Sequence, residues 1–420
     1  MYRFIYFTVA LLAAGASCAL AQTRLVWGIQ SGTGQQEYVM NHVTGSDGSI
    51  YVSGTTSGEM EGKGYGGADG FITRLDSSGR VIWTRQFGTP ETEDIQWSAI
   101  DNSGNVYITG STTGNLQGLN QGAEDVFLAK FSPEGMPEWF YQFGTDSTDT
   151  GKGVYADGNG YVYLTGFTKG KLGQSSFGQS DGFIMKLDGK GKLLFVRQFG
   201  SPDDDWSNAI TGDQKGRISV CGTTRGNLAA SNKGFIDGFT MTWTEEGKQL
   251  GANQFGSEGF DIPMAVQADK SGNLYVGGST SGNFGGPQTG EGDCFLLKIG
   301  KDGTMLWNRQ SGTAKNDGIR AIALNEKATD HLLVSGVLNL PPAQAFIRMY
   351  TTSGDVLWEK NFDADFRQSD ASGKAVTMDA SGNIYHSGLT RGSVFSQQQG
   401  EGDFYLVRLL LEKKYLNNNK

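Results

Sequence analysis

One period governs the chain. Trp27, Trp83, Trp139, Phe195, Gly251 and Trp307 stand 56 residues apart, and Trp358 follows after 51. Three residues beyond each comes Gln30, Gln86, Gln142, Gln198, Gln254, Gln310 and finally Asn361. Gly54, Gly110, Gly166, Gly222 and Gly278 keep the same spacing and are followed by Gly336 and Gly388. Asp69, Asp125, Asp181, Asp237, Asp293 and Asp403 form another column, in which the sixth copy places Ala343. Several residue types holding one register identify internal repeats. Such an array overrides the length prior that would divide 420 residues into two or three domains.

Each copy reads as four short strands. In the second copy these are 96–101, 106–112, 125–131 and 136–143. The first two are joined by Asn102-Ser103-Gly104-Asn105 and the last two by Pro133-Glu134-Gly135, both tight-turn sequences. The β-branched and aromatic residues of 106–112 suit a strand, and nothing sustains a helical period. The 64 glycines supply turns without a collagen period. Seven four-stranded units can close into a propeller or stack as an open solenoid. The ends favour closure: the chain starts with a fourth-strand copy at 24–31 and finishes with a third-strand copy at 403–411, so the N-terminal strand completes the last blade. The expected fold is therefore all-β, a seven-bladed β-propeller occupying 22–411, with a polar tail at 412–420.

Residues 1–21 have the form of a secretory signal. Arg3 precedes an apolar run to Ala16, and Ala19-Leu20-Ala21 makes a cleavage site before Gln22. Lipidation at Cys18 is the alternative; Gly15 stands where a lipobox has Leu. The expected location is exported, in the periplasm, at the cell surface or outside the cell, with no transmembrane segment in the mature chain. Cys221 and Cys294 alone remain after cleavage and are expected as buried thiols. A net charge of −9 argues against nucleic acid as a partner. A monomer is expected.

The columns resemble the bacterial seven-bladed β-propeller repeat, or SBBP, family. Asp69-Gly70-Phe71-Ile72-Thr73-Arg74-Leu75-Asp76 with Gly79 and Trp83 carries one half of the hallmark. Asp101-Asn102-Ser103-Gly104-Asn105-Val106-Tyr107-Ile108-Thr109-Gly110 carries the other. The resemblance spans 24–411, with drift at Ile218-Ser219-Val220 and in the sixth copy. It implies an exported bacterial protein and no particular activity. The Asp-x-x-Gly-x-x-x-Trp string is also similar to the repeat of pyrroloquinoline-quinone propellers, which is read as shared blade geometry.

Alternating strands put the tight turns on one face and the longer loops, after strands two and four, on the other. Binding residues favour long loops on a rigid scaffold. That face collects the Asp69 column and a second acidic column ahead of each inner strand: Glu37, Glu93, Asp149, Asp205, Asp261, Asp317 and then Asp370. The six from Glu37 to Asp317 are the candidate ligand-binding residues, as an acidic channel mouth that suits Ca²⁺ or a cationic ligand. Against this, recurrence in every copy favours loop fixing by Asp side chains. A basic column, Arg74, Lys130, Lys186, Lys298, Arg348 and Arg408, is expected to pair with acids between blades. The Trp column is read as packing. Catalytic motifs are weak. Gly62-Lys63-Gly64-Tyr65-Gly66-Gly67 has no helix after it, and His42, His331 and His386 occupy unrelated columns. The leading expectation is a non-catalytic module that binds protein or glycan at the cell surface. The alternatives are a carbohydrate lyase or hydrolase and a quinoprotein-like oxidoreductase. A specific site is expected where the copies differ.

Overall fold

The computed structural model describes residues 23–416 apart from 174, 326–329 and 363–369. The expected signal segment 1–21, with Cys18, lies outside the described residues. Among the described residues, twenty-eight strands form seven antiparallel four-stranded sheets. Blades 1 to 6 span 37–87, 93–143, 149–199, 205–255, 261–311 and 318–361. Blade 7 combines 371–378, 383–390 and 403–411 with the N-terminal strand 23–31. Thr23–Ser31 pairs along its length with Asp403–Leu411, so the ends of the chain close the ring. The first strand of every blade packs against the first strands of both neighbours, which places these seven strands around the axis.

Blades are held together face to face. Tyr51, Ile72 and Phe87 of blade 1 share one buried cluster with Ile108, Phe127 and Phe131 of blade 2. Burying each such side chain is worth about 1.5–3 kcal/mol. The Trp column stitches these junctions. Nε1 of Trp27, Trp83, Trp139 and Trp307 donates to Ser77, Pro133, Gly189 and Thr352 carbonyls in the tight hairpin of the next blade. The basic column does the same work, and here the expectation of acid pairing between blades is corrected: the acids that Arg74 and Lys130 meet, Asp47 and Glu138, belong to their own blades. Arg74, Lys130, Lys186 and Arg408 donate to the carbonyls of Pro133, Gly189, Glu245 and Ser77. These side chains sit at the tight-turn end of strand three, far from the acidic columns at its other end.

The Gly54 column is dictated by a β-bulge in every inner strand. The register slips between Ile95 and Trp97 opposite Gly110, and likewise in all other blades. A Cβ on Gly110 would stand 1.9 Å from the Asp94 carbonyl oxygen. Only glycine lets the second strand follow the bulged first.

Blade 6 slips by one residue relative to the sequence columns. Gln344, not Ala343, pairs where Asp69 does in blade 1, because Gly336 faces Phe346 as Gly54 faces Phe71. Met349 therefore replaces Arg74, and Arg348 lies on the opposite sheet face, bonded to Glu359, Ser311 and Tyr350. Ala371 rather than Asp370 begins the last inner strand, since it pairs with Thr390 as Glu37 pairs with Thr56. Beyond the propeller, Lys413–Tyr415 forms a 3₁₀ turn, and Tyr415 and Leu416 pack against the blade 6 and 7 core.

Candidate functional site

The six candidate acids stand at the head of their inner strands, as expected. Glu37, Glu93, Asp149, Asp205 and Asp261 are wholly buried, and Asp317 nearly so. Their oxygens are committed internally. Glu93 accepts the Thr89 N–H at 2.7 Å, the Thr89 hydroxyl at 2.8 Å and the Thr112 hydroxyl at 2.7 Å. Glu37 repeats this with Thr33 and Thr56, and Asp149, Asp205 and Asp261 use Thr145, Ser201 and Ser257. Asp317 likewise accepts from Thr313 and from the Asn339 N–H. Each acid thus pins the loop that enters its own blade.

The second acidic column meets the first at every regular junction. Asp69 accepts from the Tyr65 N–H and the Gln86 amide at 2.8 and 2.7 Å, which explains the Gln column. Gly88 packs between Asp69 and Glu93: a Cβ there would stand 2.2 Å from one carboxylate oxygen and 2.6 Å from the other. Asp69 Oδ1 has no hydrogen-bond donor, nor do its counterparts in Asp125, Asp181, Asp237 and Asp293. The glycine Cα–H fills that place, a weak contact. Burial raises the proton affinity of Glu37, Asp149, Asp205 and Asp261, while their hydrogen bonds act in the other direction. Among the described residues, no three His, Cys, Asp or Glu side chains converge as a metal-ligand set.

The next residue along the inner strand is exposed or half-buried in five of the seven blades, Thr150 and Gly318 being buried, and here the copies differ. Tyr38, Asp94, Thr150, Trp206 and Ile262 occupy one such level. One level deeper lie the bulged residues, half-buried in all seven blades: Lys152, Arg320 and Lys374 among neutral Met40, Gln96, Asn208 and Met264. Across blades 2 to 4 these levels open into a polar hollow of about 570 Å³ lined by Asp94, Glu124, Lys152, Lys169, Asp204 and Trp206. Lys152 Nζ donates to Gln96 at 3.1 Å, and Gln96 donates to Asp94. Desolvation in this mouth raises the Asp94 pKa against the pull of Lys152. Burial lowers that of Lys152 against the pull of Asp94 and Glu124. Arg225 lies over the Trp206 ring, 5.2 Å from its centroid, and pairs with Asp204 at 3.2 Å. Two of the histidines from unrelated columns lie in neighbouring junctions, His42 between blades 7 and 1 and His386 between blades 6 and 7. His42 bonds the hydroxyls of Ser387 and Thr377, and His386 bonds that of Ser335. Both are fully buried, which drives each pKa down to about 3, so neither Ser–His contact is open to a substrate. Cys221 and Cys294 are free, buried thiols, with Cys294 pushed up to about 12.

What sequence reasoning missed was this one-residue offset. It took the repeated acids for the mouth, whereas the variable residue after each acid lines it. Alternation along a strand was the available signal.

Comparisons with known proteins agree with the fold. The SBBP beta-propeller repeat model matches residues 82–117 and 138–173. Regulatory protein FlaEY of Caulobacter vibrioides is 26% identical over 289 residues, covering 59% of this chain and 30% of its own length. The uncharacterized WD repeat-containing protein L264 of Acanthamoeba polyphaga mimivirus is 22% identical over 326 residues, covering 68% of this chain and 22% of its own. The chain thus spans less than a third of either relative. The Neurospora crassa Pan2 WD40 domain superposes with a TM-score of 0.52 at 9% identity, covering 89% of both chains, a likeness of fold. The matched SBBP repeats lie in blades 1 to 3, and the same four-stranded unit closes seven times around the ring.

Proposed function

We propose that the protein is an exported, non-catalytic binding module whose long-loop face takes a glycan at the cell surface. The observation that carries this reading is the hollow across blades 2 to 4. It sets the half-buried Trp206 face, backed by Arg225, beside Asp94, Glu124, Lys152 and Lys169. An indole face accepts the apolar side of a sugar ring, and convergent charged groups take up its hydroxyls. The buried acids from Glu37 to Asp317 serve as the frame that holds this mouth, and the residues beside them make the contacts. A binding role is in keeping with the regulatory description of FlaEY. The test is a glycan panel presented to the immobilised protein. Trp206→Ala is expected to lower the signal of the best glycan at least tenfold with the melting temperature kept. A panel on which wild type and variant are indistinguishable overturns the assignment.

A second reading rests on Asp94 and Glu124. A carboxyl with raised pKa beside a second carboxylate is what acid–base cleavage of a glycosidic bond requires. Turnover of any polysaccharide in such a panel, lost in Asp94→Asn, would replace binding by hydrolysis or lysis.

A further inference from the structure

The ring of bulged residues carries three cations and no acid. Lys152 is provided for: Gln96 accepts its hydrogen bond, and Asp94 and Glu124 lie within electrostatic reach. The opposite side of the axis is different. Arg320 and Lys374 occupy equivalent positions on the neighbouring inner strands Gly318–Leu324 and Ala371–Met378. Each is half-buried, and among the described residues neither has a carboxylate partner. Arg320 Nε is buried without any hydrogen-bond acceptor. The two charges act on each other, and burial and this repulsion together lower the proton affinity of Lys374. Like charges side by side in a partly dry wall are unfavourable unless an anion joins them.

The residues above the pair are small. At the mouth level, where blades 1, 4 and 5 carry Tyr38, Trp206 and Ile262, blades 6 and 7 carry Gly318 and Ser372. Ala321, Gly373 and Ala375 beside the two bulges are equally small.

We propose that this sector of the axial channel is an anion site, in which the Arg320 guanidinium and the Lys374 ammonium together bind the oxygens of a carboxylate or phosphate group. A guanidinium presents paired donors that match two oxygens of either group, and the ammonium adds a point charge. The site lies across the axis from Trp206 and is independent of the glycan hollow.

The experiment is titration calorimetry and thermal melting of the full chain at low ionic strength, with inorganic phosphate, acetate and chloride as separate probes. Phosphate or acetate is expected to bind and to raise the melting temperature, with chloride at least tenfold weaker. Whichever oxyanion binds better names the source. Arg320→Gln and Lys374→Gln are each expected to weaken binding at least tenfold, whereas Lys190→Gln, on an exposed hairpin, leaves it unchanged. Without added anion, Lys374→Gln is expected to melt higher than wild type, because a repulsion is removed. That readout survives even if the Arg320 variant fails to fold. Equal oxyanion binding by wild type and Lys374→Gln, or none by the wild type, overturns the site.

Discussion

The junctions among blades 1 to 5 and the seam between blades 6 and 7 solve one packing problem in two ways. At a regular junction, two buried carboxylates from adjacent blades flank a glycine, and each pins a loop. At the seam both are gone: Gln344 and Ala371 hold the two positions, and what remains is the backbone bond shared with the regular junctions, Ala371 N–H donating to Ala343 O at 2.8 Å as Glu93 N–H donates to Ala68 O. Asp370 stays exposed and accepts the Ala343 N–H. The Trp stitch changes as well. Blade 7 takes its outer strand from the N-terminus, so it has no hairpin joining strands three and four to receive Trp358. Trp358 turns inward instead and donates to Met349 Sδ. The repeat is thus a set of junction contacts that need a continuous hairpin and two acids. Where closure removes the hairpin, the local sequence is released, and this is the sector where Arg320 and Lys374 appear.

The largest contrast is expected from backbone crowding. Gly110→Ala forces a Cβ to within 1.9 Å of a carbonyl oxygen. It should cost about 4 kcal/mol or prevent folding, as overpacking at a fixed bulge does. Gly251→Ala, with nothing within 4 Å of its Cβ, is the matched control and should change stability little. Denaturant melts that show equal losses would remove the bulge as the reason for the Gly54 column.

The acids come next. Asp149→Ala leaves the Thr145 N–H and hydroxyl without an acceptor inside the protein and is expected to cost about 3 kcal/mol. Asp370→Ala, exposed at the seam, should cost about 0.5 kcal/mol. Asp149→Asn keeps an acceptor for Thr145 and should fall between them. Similar losses for Asp149→Ala and Asp370→Ala would mean that the regular junctions gain nothing from their acids.

Much of this was legible in the residues alone. The 56-residue columns gave the seven blades, the four strands, the closing N-terminal strand and the structural role of Trp and Gln. Local repetition is readable because each blade solves the same problem. The site was not readable in the same way. Glu93 and Asp94 are neighbours in sequence but point to opposite sides, and only the pairing register tells which one meets solvent. Blade 6 misled by its shorter spacing, so that Ala343 and Arg348 fell one residue off their structural columns. Arg320 and Lys374 carried no motif, because a bulge position is defined by the ladder it leaves.

The pH dependence follows from the same acids. Glu37, Asp149, Asp205 and Asp261 have folded-state pKa values raised above their unfolded values, chiefly by burial. Carboxyl groups of this kind stabilise fully below the unfolded pKa, and that contribution is lost as pH rises through the folded pKa. The contribution of these four groups should therefore increase as pH falls through their raised folded pKa values toward the ordinary carboxylate range. Melts across that range should flatten progressively as Asp149, Asp205 and Asp261 are replaced by Asn. A fall in stability over the same range would reverse the sign assigned to burial.

The smallest effect concerns a junction that keeps an aromatic ring but lacks the indole. Blade 3 carries Phe195 in the Trp column, and the ring still packs on Gly247 of the next hairpin. In blades 1 and 2, Trp83 and Trp139 each add a hydrogen bond to a hairpin carbonyl, that of Pro133 or Gly189. The corresponding carbonyl is that of Glu245, which already accepts from Lys186 at 2.8 Å as Pro133 accepts from Arg74. Carbonyl oxygens have two lone pairs, so Phe195→Trp supplies a second donor without displacing the first. The variant should be more stable by about 1 kcal/mol, and Trp83→Phe less stable by a similar amount. Opposite shifts in paired chemical melts would show that the stitch, and not ring packing alone, sets the column; a loss in both would assign the column to packing.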